Sequence, residues 1–124
     1  MFAMDGGDFR SLRLAAFFDF VLSHLPAPPV DVLEVGCGPG ELALALSHAG
    51  YSVTAIDPDA PDGPIFRRTK LEDFTDGSFD AVVASVSLHH VEAVDAAFDK
   101  IVSLLRPGGR LIFEEFAKEL ERPS

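Results

Sequence analysis

Residues 33–40 read Leu33-Glu34-Val35-Gly36-Cys37-Gly38-Pro39-Gly40, a short apolar segment that runs into three glycines. The apolar part begins at residue 30, and a run of this kind bounded by glycines is typical of a buried parallel strand. The glycines permit a tight turn and let a ligand approach the backbone closely. Residues 41–49 then have helical spacing, and Gly50 is placed to end the helix. These residues therefore predict a strand, a glycine loop and a helix in direct succession.

Helices and strands alternate on both sides of this loop. Besides the strand over 30–35 and the helix over 41–49, we predict helices over 8–25 and 92–105 and strands over 52–56, 65–69, 79–86 and 110–116. This alternation favours a Rossmann-like α/β three-layer sandwich with a mostly parallel sheet of about five strands. The strand over 65–69 is the least expected, because residues 58–64 are a short connection and parallel strands usually need crossovers of about a dozen residues. The 124 residues are expected to form a single domain.

Composition excludes several classes of function. The chain has 10 Lys and Arg against 20 Asp and Glu, a formal net charge of -10. Nucleic-acid binding depends on clustered basic residues, so neither nucleic acid nor an anionic membrane is an expected partner. No apolar run approaches the roughly 20 residues that span a bilayer. The single cysteine excludes an intramolecular disulfide and a Cys-rich zinc site, and it predicts a cytoplasmic protein.

Three acidic residues indicate which ligand the glycine loop would accept. Asp57 ends the strand after the loop, where a carboxylate can bind two ribose hydroxyls. Glu34 and Glu41 flank the glycines, and their charges oppose the pyrophosphate of a dinucleotide. They suit a ligand that has a ribose, no phosphate and cationic groups, such as the ammonium and sulfonium of S-adenosylmethionine. A nicotinamide-dependent oxidoreductase is further disfavoured because Tyr51 has Ala55 where a Tyr-x-x-x-Lys pair requires lysine.

Five motifs in order resemble those of class I S-adenosylmethionine-dependent methyltransferases, in particular the small-molecule enzymes of quinone biosynthesis. After residues 33–40 come Val53-Thr54-Ala55-Ile56-Asp57, Phe79-Asp80-Ala81-Val82-Val83, Ser87-Leu88-His89-His90-Val91 and Leu105-Arg106-Pro107-Gly108-Gly109-Arg110-Leu111. The resemblance implies S-adenosylmethionine as the cofactor and a small molecule as the methyl acceptor. The alternative is a donor-binding module or pseudoenzyme that needs a partner subunit or a dimer to complete its substrate site.

The resemblance also implies roles for residues around the methionine and ribose of the donor. Glu34 would reach the amino group, and Asp57 would hold the ribose hydroxyls. The backbone at Gly36, Cys37 and Gly38 would line the methionine part. Cys37 is interpreted as a small residue of the loop rather than a nucleophile, because no partner base is evident.

Further roles concern the adenine and the reacting end of the donor. Pro58 would pack near the adenine, and the backbone around Ser85 would face the amino end. The adenine edge is assigned to Leu71, Glu72 and Asp73, where a carboxylate can accept from the exocyclic amine; a solvated acidic loop is the alternative.

His89 is the candidate general base, since imidazole titrates near neutrality. The alternative is a packing role at the entry of a helix, because methyl transfer is an in-line displacement that orientation alone can accelerate. Metal binding is not expected of the His89-His90 pair. The aromatic residues Phe9, Phe17, Phe18 and Phe20 have the spacing of a helix core, and the alternative is that one or two of them cover the pocket.

After the fifth strand we expect a departure from the family pattern, namely a sheet that lacks the family's C-terminal antiparallel hairpin. The strand over 110–116 is then expected to be an exposed edge, and such edges recruit partners. We therefore expect a homodimer or a partner subunit across this last strand.

Overall fold

The structure is a computed structural model that describes residues 6–84, 91–113 and 118–121. Its elements are α1 (Gly6–His24), β1 (Asp31–Val35), α2 (Glu41–His48), β2 (Ser52–Asp57), β3 (Phe66–Arg68), a 3-10 turn (Leu71–Asp73), β4 (Phe79–Ala84), α3 (Val91–Leu104), β5 (Leu105–Phe113) and β6 (Lys118–Glu121). All predicted helices and strands are present, and the predicted strand ends over 85–86 and 114–116 lie outside the described residues. β5 begins at Leu105 rather than Arg110, because Leu105 already pairs with Phe79 of β4. Within the described ranges, no helix is both long and apolar enough to span a membrane.

The sheet has the strand order β3-β2-β1-β4-β5-β6. The first five strands are parallel, with Val32 of β1 opposite Val53 of β2 on one side and Ala81 of β4 on the other. The predicted mostly parallel sheet of about five strands is therefore confirmed, and β6 adds a sixth, antiparallel strand at its edge. β1 lies at its centre, which explains why residues 32–35 are fully buried.

Side chains that alternate along the strands build two hydrophobic cores, one on each face of the sheet. Helices α1 and α2 cover the first face, where the buried residues include Val21, Leu46, Val32, Val53, Val83 and Ile112. Helix α3 covers the second face, where they include Leu33, Ile56, Val82, Ile101 and Leu104. The three-layer arrangement predicted from the alternation of elements is confirmed.

The connection from β2 to β3 spans residues 58–65 and contains no helix. β3 is nevertheless parallel to β2, with Ala55 opposite Phe66 and Asp57 opposite Arg68. The predicted third strand is thus confirmed despite its short crossover. Two backbone hydrogen bonds close the connection, because the carbonyl of Asp57 accepts the N–H groups of Ala60 and Thr69 at 3.1 and 3.2 Å.

The predicted exposed edge at the last parallel strand is wrong. β6 pairs antiparallel with β5 and covers it from Arg110 to Phe113. The reason is that β5 presents a row of backbone donors and acceptors that the following chain can satisfy by folding back. The dimer was predicted because the edge of β5 was expected to be open, and that reason no longer holds.

Candidate functional site

A cavity of about 280 Å³ opens beside the carboxyl end of β1, at the glycine loop. β1 has β2 on one side and β4 on the other, so the chain reverses its direction of winding at this point. In open α/β sheets, ligands bind in the crevice outside the carboxyl ends of the strands at such a switch point. The residues lining the cavity are Arg13, Leu14, Phe17, Glu34, Gly36, Cys37, Gly38, Pro39, Glu41 and Leu42.

The glycine loop is held against the neighbouring strand by its own backbone. The carbonyl of Ile56 accepts N–H groups from Gly36 and Cys37 at 2.8 and 3.1 Å. Gly40 closes the loop by donating to the carbonyl of Cys37 at 3.0 Å, and it precedes the first residue of α2. A Cβ atom on Gly40 would lie 2.5 Å from the Phe66 ring. The loop therefore has a fixed shape that depends on the absence of side chains.

Glu34 is buried within β1 and lines the cavity. It is 1% exposed, and it is the one charged residue in the buried class among the described residues. Because side chains alternate across a strand, Glu34 lies on the same sheet face as Val32, the face covered by α1 and α2. A carboxylate at this depth is costly unless charge or hydrogen bonds compensate it, so its position directs a strong acceptor into the cavity wall.

Asp57 lies at the end of β2, on the same sheet face as Glu34. Its Oδ2 accepts the backbone N–H of Gly38 at 3.1 Å, and its Oδ1 accepts the N–H of Asp59 at 2.8 Å. The side chain thus joins the glycine loop to the turn that follows β2. Each carboxylate oxygen can accept more than one hydrogen bond, so both retain capacity for a ligand.

Cys37 lies between these two acids and is 7% exposed. Burial first, and then the carboxylates of Glu34 and Asp57, raise the pKa of its thiol from 9.0 to about 11. The thiol is therefore protonated at neutral pH and is a poor nucleophile. This chemistry agrees with its interpretation as a small residue that lines the loop.

Helix α1 contributes cavity residues that the sequence did not single out as a group. Arg13, Leu14 and Phe17 line the cavity together with the glycine loop, and Arg13 is the one basic residue among the described lining residues. Arg13 and Phe17 are four residues apart and therefore share one helix face. The four-residue spacing in the sequence indicates that the two side chains share a helix face. Only the packing of α1 on the sheet shows that this face lines the cavity at the glycine loop. Phe17 belongs to the core and also covers the pocket.

Asp57 contacts the lining residue Gly38 but is not itself among the residues that line this cavity, and four other predicted residues also lie outside it. Pro58 is exposed directly after Asp57, and the acids Glu72 and Asp73 are exposed on the 3-10 turn with Leu71 half-buried beside them. None of these four lines the described cavity. Ser85 and His89 lie outside the described residues.

Comparison with known proteins places this geometry in a family. A family profile described as a methyltransferase domain matches residues 8–124. An uncharacterized methyltransferase of Mycobacterium tuberculosis is 35% identical over 101 residues, covering 68% of this chain and 50% of that protein. A ubiquinone biosynthesis O-methyltransferase of Xanthomonas campestris is 35% identical over 109 residues, covering 75% of this chain and 46% of that protein. The chain thus spans about half the length of the curated relatives it matches.

Solved structures show the same fold. The 1,6-didemethyltoxoflavin-N1-methyltransferase of Burkholderia thailandensis, crystallised with its substrate and S-adenosylhomocysteine, superposes with a TM-score of 0.69 at 23% identity over 86% of this chain and 56% of that one. The magnesium protoporphyrin IX methyltransferase of Synechocystis, crystallised with S-adenosylmethionine, gives a TM-score of 0.69 at 20% identity over 91% of this chain and 64% of that one. With the family profile over almost its entire length and the glycine loop at the switch point of its sheet, this chain belongs to the methyltransferase domain family.

Proposed function

We propose that this chain binds S-adenosylmethionine in the glycine-loop cavity and acts in methyl transfer to a small-molecule acceptor. The observation that carries the proposal is the pair of acids Glu34 and Asp57 on one sheet face, beside a glycine loop at the switch point. A pyrophosphate would be repelled by these carboxylates, whereas a cationic ligand without phosphate is attracted. The motif resemblance and the family assignment support the same cofactor.

The residues present suit the parts of this cofactor. Glu34 has the charge to pair with the ammonium group, and the guanidinium of Arg13, which lines the same cavity, complements the α-carboxylate. The backbone of Gly36 and Gly38, which carry no side chains, leaves room for the methionine chain of the cofactor. Asp57 can accept two ribose hydroxyls while it keeps its hydrogen bonds to the loop, as its acceptor capacity allows.

When bound, the cofactor supplies an electrophilic methyl group on a sulfonium. The chain's contribution is to bind, orient and shield. Phe17 and Leu14 bring apolar surface to the cavity, which excludes water from the donor. Cys37 remains a neutral thiol beside the methionine part and therefore does not compete for the methyl group.

The acceptor is proposed to be a small molecule. Support comes from proteins whose names refer to small molecules, including the ubiquinone biosynthesis O-methyltransferases and the 1,6-didemethyltoxoflavin-N1-methyltransferase. The net charge of -10 makes nucleic acid an unsuitable acceptor. His89 as a base, and Pro58, Leu71, Glu72, Asp73 and Ser85 as donor contacts, stay predictions. The single-domain organisation and the cytoplasmic location are proposed on the sequence grounds given above.

A turnover assay tests this proposal. The protein is incubated with methyl-labelled S-adenosylmethionine and a panel of phenolic and nitrogen-heterocyclic acceptors, and the formation of S-adenosylhomocysteine is followed. Product in the presence of at least one acceptor, abolished in Asp57→Ala, is the expected result. Binding of the donor without turnover of any acceptor would instead favour the alternative, a donor-binding module that a partner subunit completes. No binding at all would refute both.

A further inference from the structure

The connection between β2 and β3 has to hold its shape without a helix. Residues 58–65 leave the ribose-site residue Asp57 and return to β3, and their backbone groups have no helical ladder to satisfy them. The connection packs against the glycine loop, since a Cβ on Gly40 would lie 3.4 Å from Pro61 and 2.5 Å from Phe66. A loose connection would therefore disturb both sides of the donor site.

Arg68 at the end of β3 forms hydrogen bonds to two residues of this connection. Its Nε donates to the backbone carbonyl of Ala60 at 2.8 Å, and its Nη2 donates to Asp62 Oδ1 at 2.7 Å. The ion pair with Asp62 is 60% and 95% exposed at its two side chains, so solvent screens it. The bond to Ala60 differs, because its acceptor is the backbone of a residue that is 1% exposed, and charge-assisted bonds of this kind are comparatively strong.

The turn over residues 57–60 connects the Ala60 carbonyl with the Asp57 carboxylate. Ala60 donates its N–H to the Asp57 carbonyl at 3.1 Å, which closes a tight turn over residues 57–60. Within that turn, the N–H of Asp59 donates to Asp57 Oδ1 at 2.8 Å. The other oxygen of Asp57 accepts from Gly38. Fixing Ala60 thus fixes the turn, and the turn fixes the direction of the carboxylate.

We propose that Arg68 is a positioning residue for the donor site: by holding the carbonyl of Ala60, it keeps the Asp57 carboxylate aimed at the glycine loop and the ribose. This inference rests on the proposed function, because the consequence is expressed in donor affinity. It requires no contact between Arg68 and the ligand.

Calorimetric titration with S-adenosylhomocysteine tests the role of Arg68. Loss of one charge-assisted hydrogen bond should weaken binding in Arg68→Ala by about threefold to tenfold. Arg68→Lys should recover part of the loss, whereas Asp62→Ala should stay within about twofold of wild type, as expected for an exposed ion pair. The matched control is Arg67→Ala, which removes the same charge from the same strand. Arg67 donates to the carbonyls of Pro64 and Phe66 rather than to the 57–60 turn, and its variant should bind like wild type.

A double-mutant cycle separates positioning from a general structural effect. In the Asp57→Ala background, Arg68→Ala should cause no further loss of affinity, because its effect passes through Asp57. In the ligand-free protein, hydrogen exchange of the Asp59 and Ala60 amides should accelerate in Arg68→Ala and not in Arg67→Ala.

Equal losses in the wild-type and Asp57→Ala backgrounds, or unchanged affinity and exchange in Arg68→Ala, would overturn the role of Arg68 while leaving the proposed function intact. A wild-type protein that binds neither donor nor product would overturn the proposed function and, with it, this role.

Discussion

Asp57 has its carboxylate oriented before any ligand arrives, because each of its oxygens already accepts one backbone N–H. Preorganisation of this kind reduces the cost of binding. Asp57→Asn should weaken S-adenosylhomocysteine binding by about 10-fold to 100-fold, since hydrogen bonds to charged groups contribute roughly 1.5–3 kcal/mol. Asp59→Asn makes the same charge change two residues away, where only the backbone joins the network, and should bind like wild type. Equal affinities of the two variants, measured by calorimetry, would contradict the ribose role.

Cys37 makes the stability of the protein depend on pH in the alkaline range. The pKa of its thiol is raised from 9.0 to about 11 in the folded protein. The unfolded chain therefore releases the thiol proton first, so wild type should lose stability relative to Cys37→Ala as pH rises from 9 to 11. Below pH 9 the difference between the two should be constant. Thermal melts of both proteins across this range check the prediction, and parallel curves throughout would contradict it.

Substitutions at Gly40 and Gly38 distinguish the cost of backbone strain from the cost of steric overlap. Both have positive φ, 90° and 53°, but only a Cβ at Gly40 would overlap the Phe66 ring, whereas a Cβ at Gly38 would have no neighbour within 4 Å. Gly40→Ala should lower the free energy of unfolding by about 2–4 kcal/mol, the sum of strain and overpacking. Gly38→Ala should lower it by about 1 kcal/mol from conformation alone. Urea unfolding measures both, and equal losses would refute the packing role of Gly40.

At the scale of elements, hydrophobic pattern and turn chemistry predicted the helices and the parallel strands. A possible strand over 65–69 was predicted despite its short crossover, and in the structure Arg68 of β3 donates to the Ala60 carbonyl within that connection. β6 was not predicted, because Lys118–Glu121 is polar and has no β-branched residue. Its pairing comes from the unsatisfied backbone of β5, which is a tertiary effect that local sequence does not record.

A second element-scale feature joins the amino ends of three strands, away from the glycine loop. Asp80 of β4 accepts the backbone N–H of Asp31 at 2.9 Å, and Arg106 of β5 bridges the carboxylates of Asp80 and Asp31 at 2.9 and 2.8 Å. The Asp31 N–H and then Arg106 hold the pKa of Asp80 below its usual 3.8. The cluster therefore stabilises the sheet when Asp80 is ionised.

Asp80→Asn should lower the free energy of unfolding at pH 7 by about 1 kcal/mol, a modest figure because a third of the side chain is exposed. A lowered folded-state pKa gives stability that is present above the unfolded pKa and is lost on acidification, so the difference from wild type should shrink as pH falls below about 4. Asp76→Asn, in an exposed loop, is the control and should match wild type. A difference that persists unchanged into acid would contradict the account of Asp80.

At the scale of the whole molecule, the chain has a glycine loop at the switch point of its sheet and about half the length of the curated relatives it matches. The glycine loop and Asp57 could be predicted because a local motif encodes them. Arg13 and Leu14 were missed, because α1 precedes the site in sequence and its approach depends on tertiary packing. The adenine contacts proposed at Glu72 and Asp73 lie on an exposed turn, away from the described cavity.

The central claim is that two carboxylates beside a glycine loop select a cationic cofactor without phosphate. Its most direct test is calorimetric titration of the wild-type chain with S-adenosylmethionine and, under identical conditions, with the dinucleotide NAD. The account predicts saturable binding of one S-adenosylmethionine per chain and no measurable binding of NAD. Binding of NAD with equal or higher affinity, or no binding of S-adenosylmethionine, would contradict it.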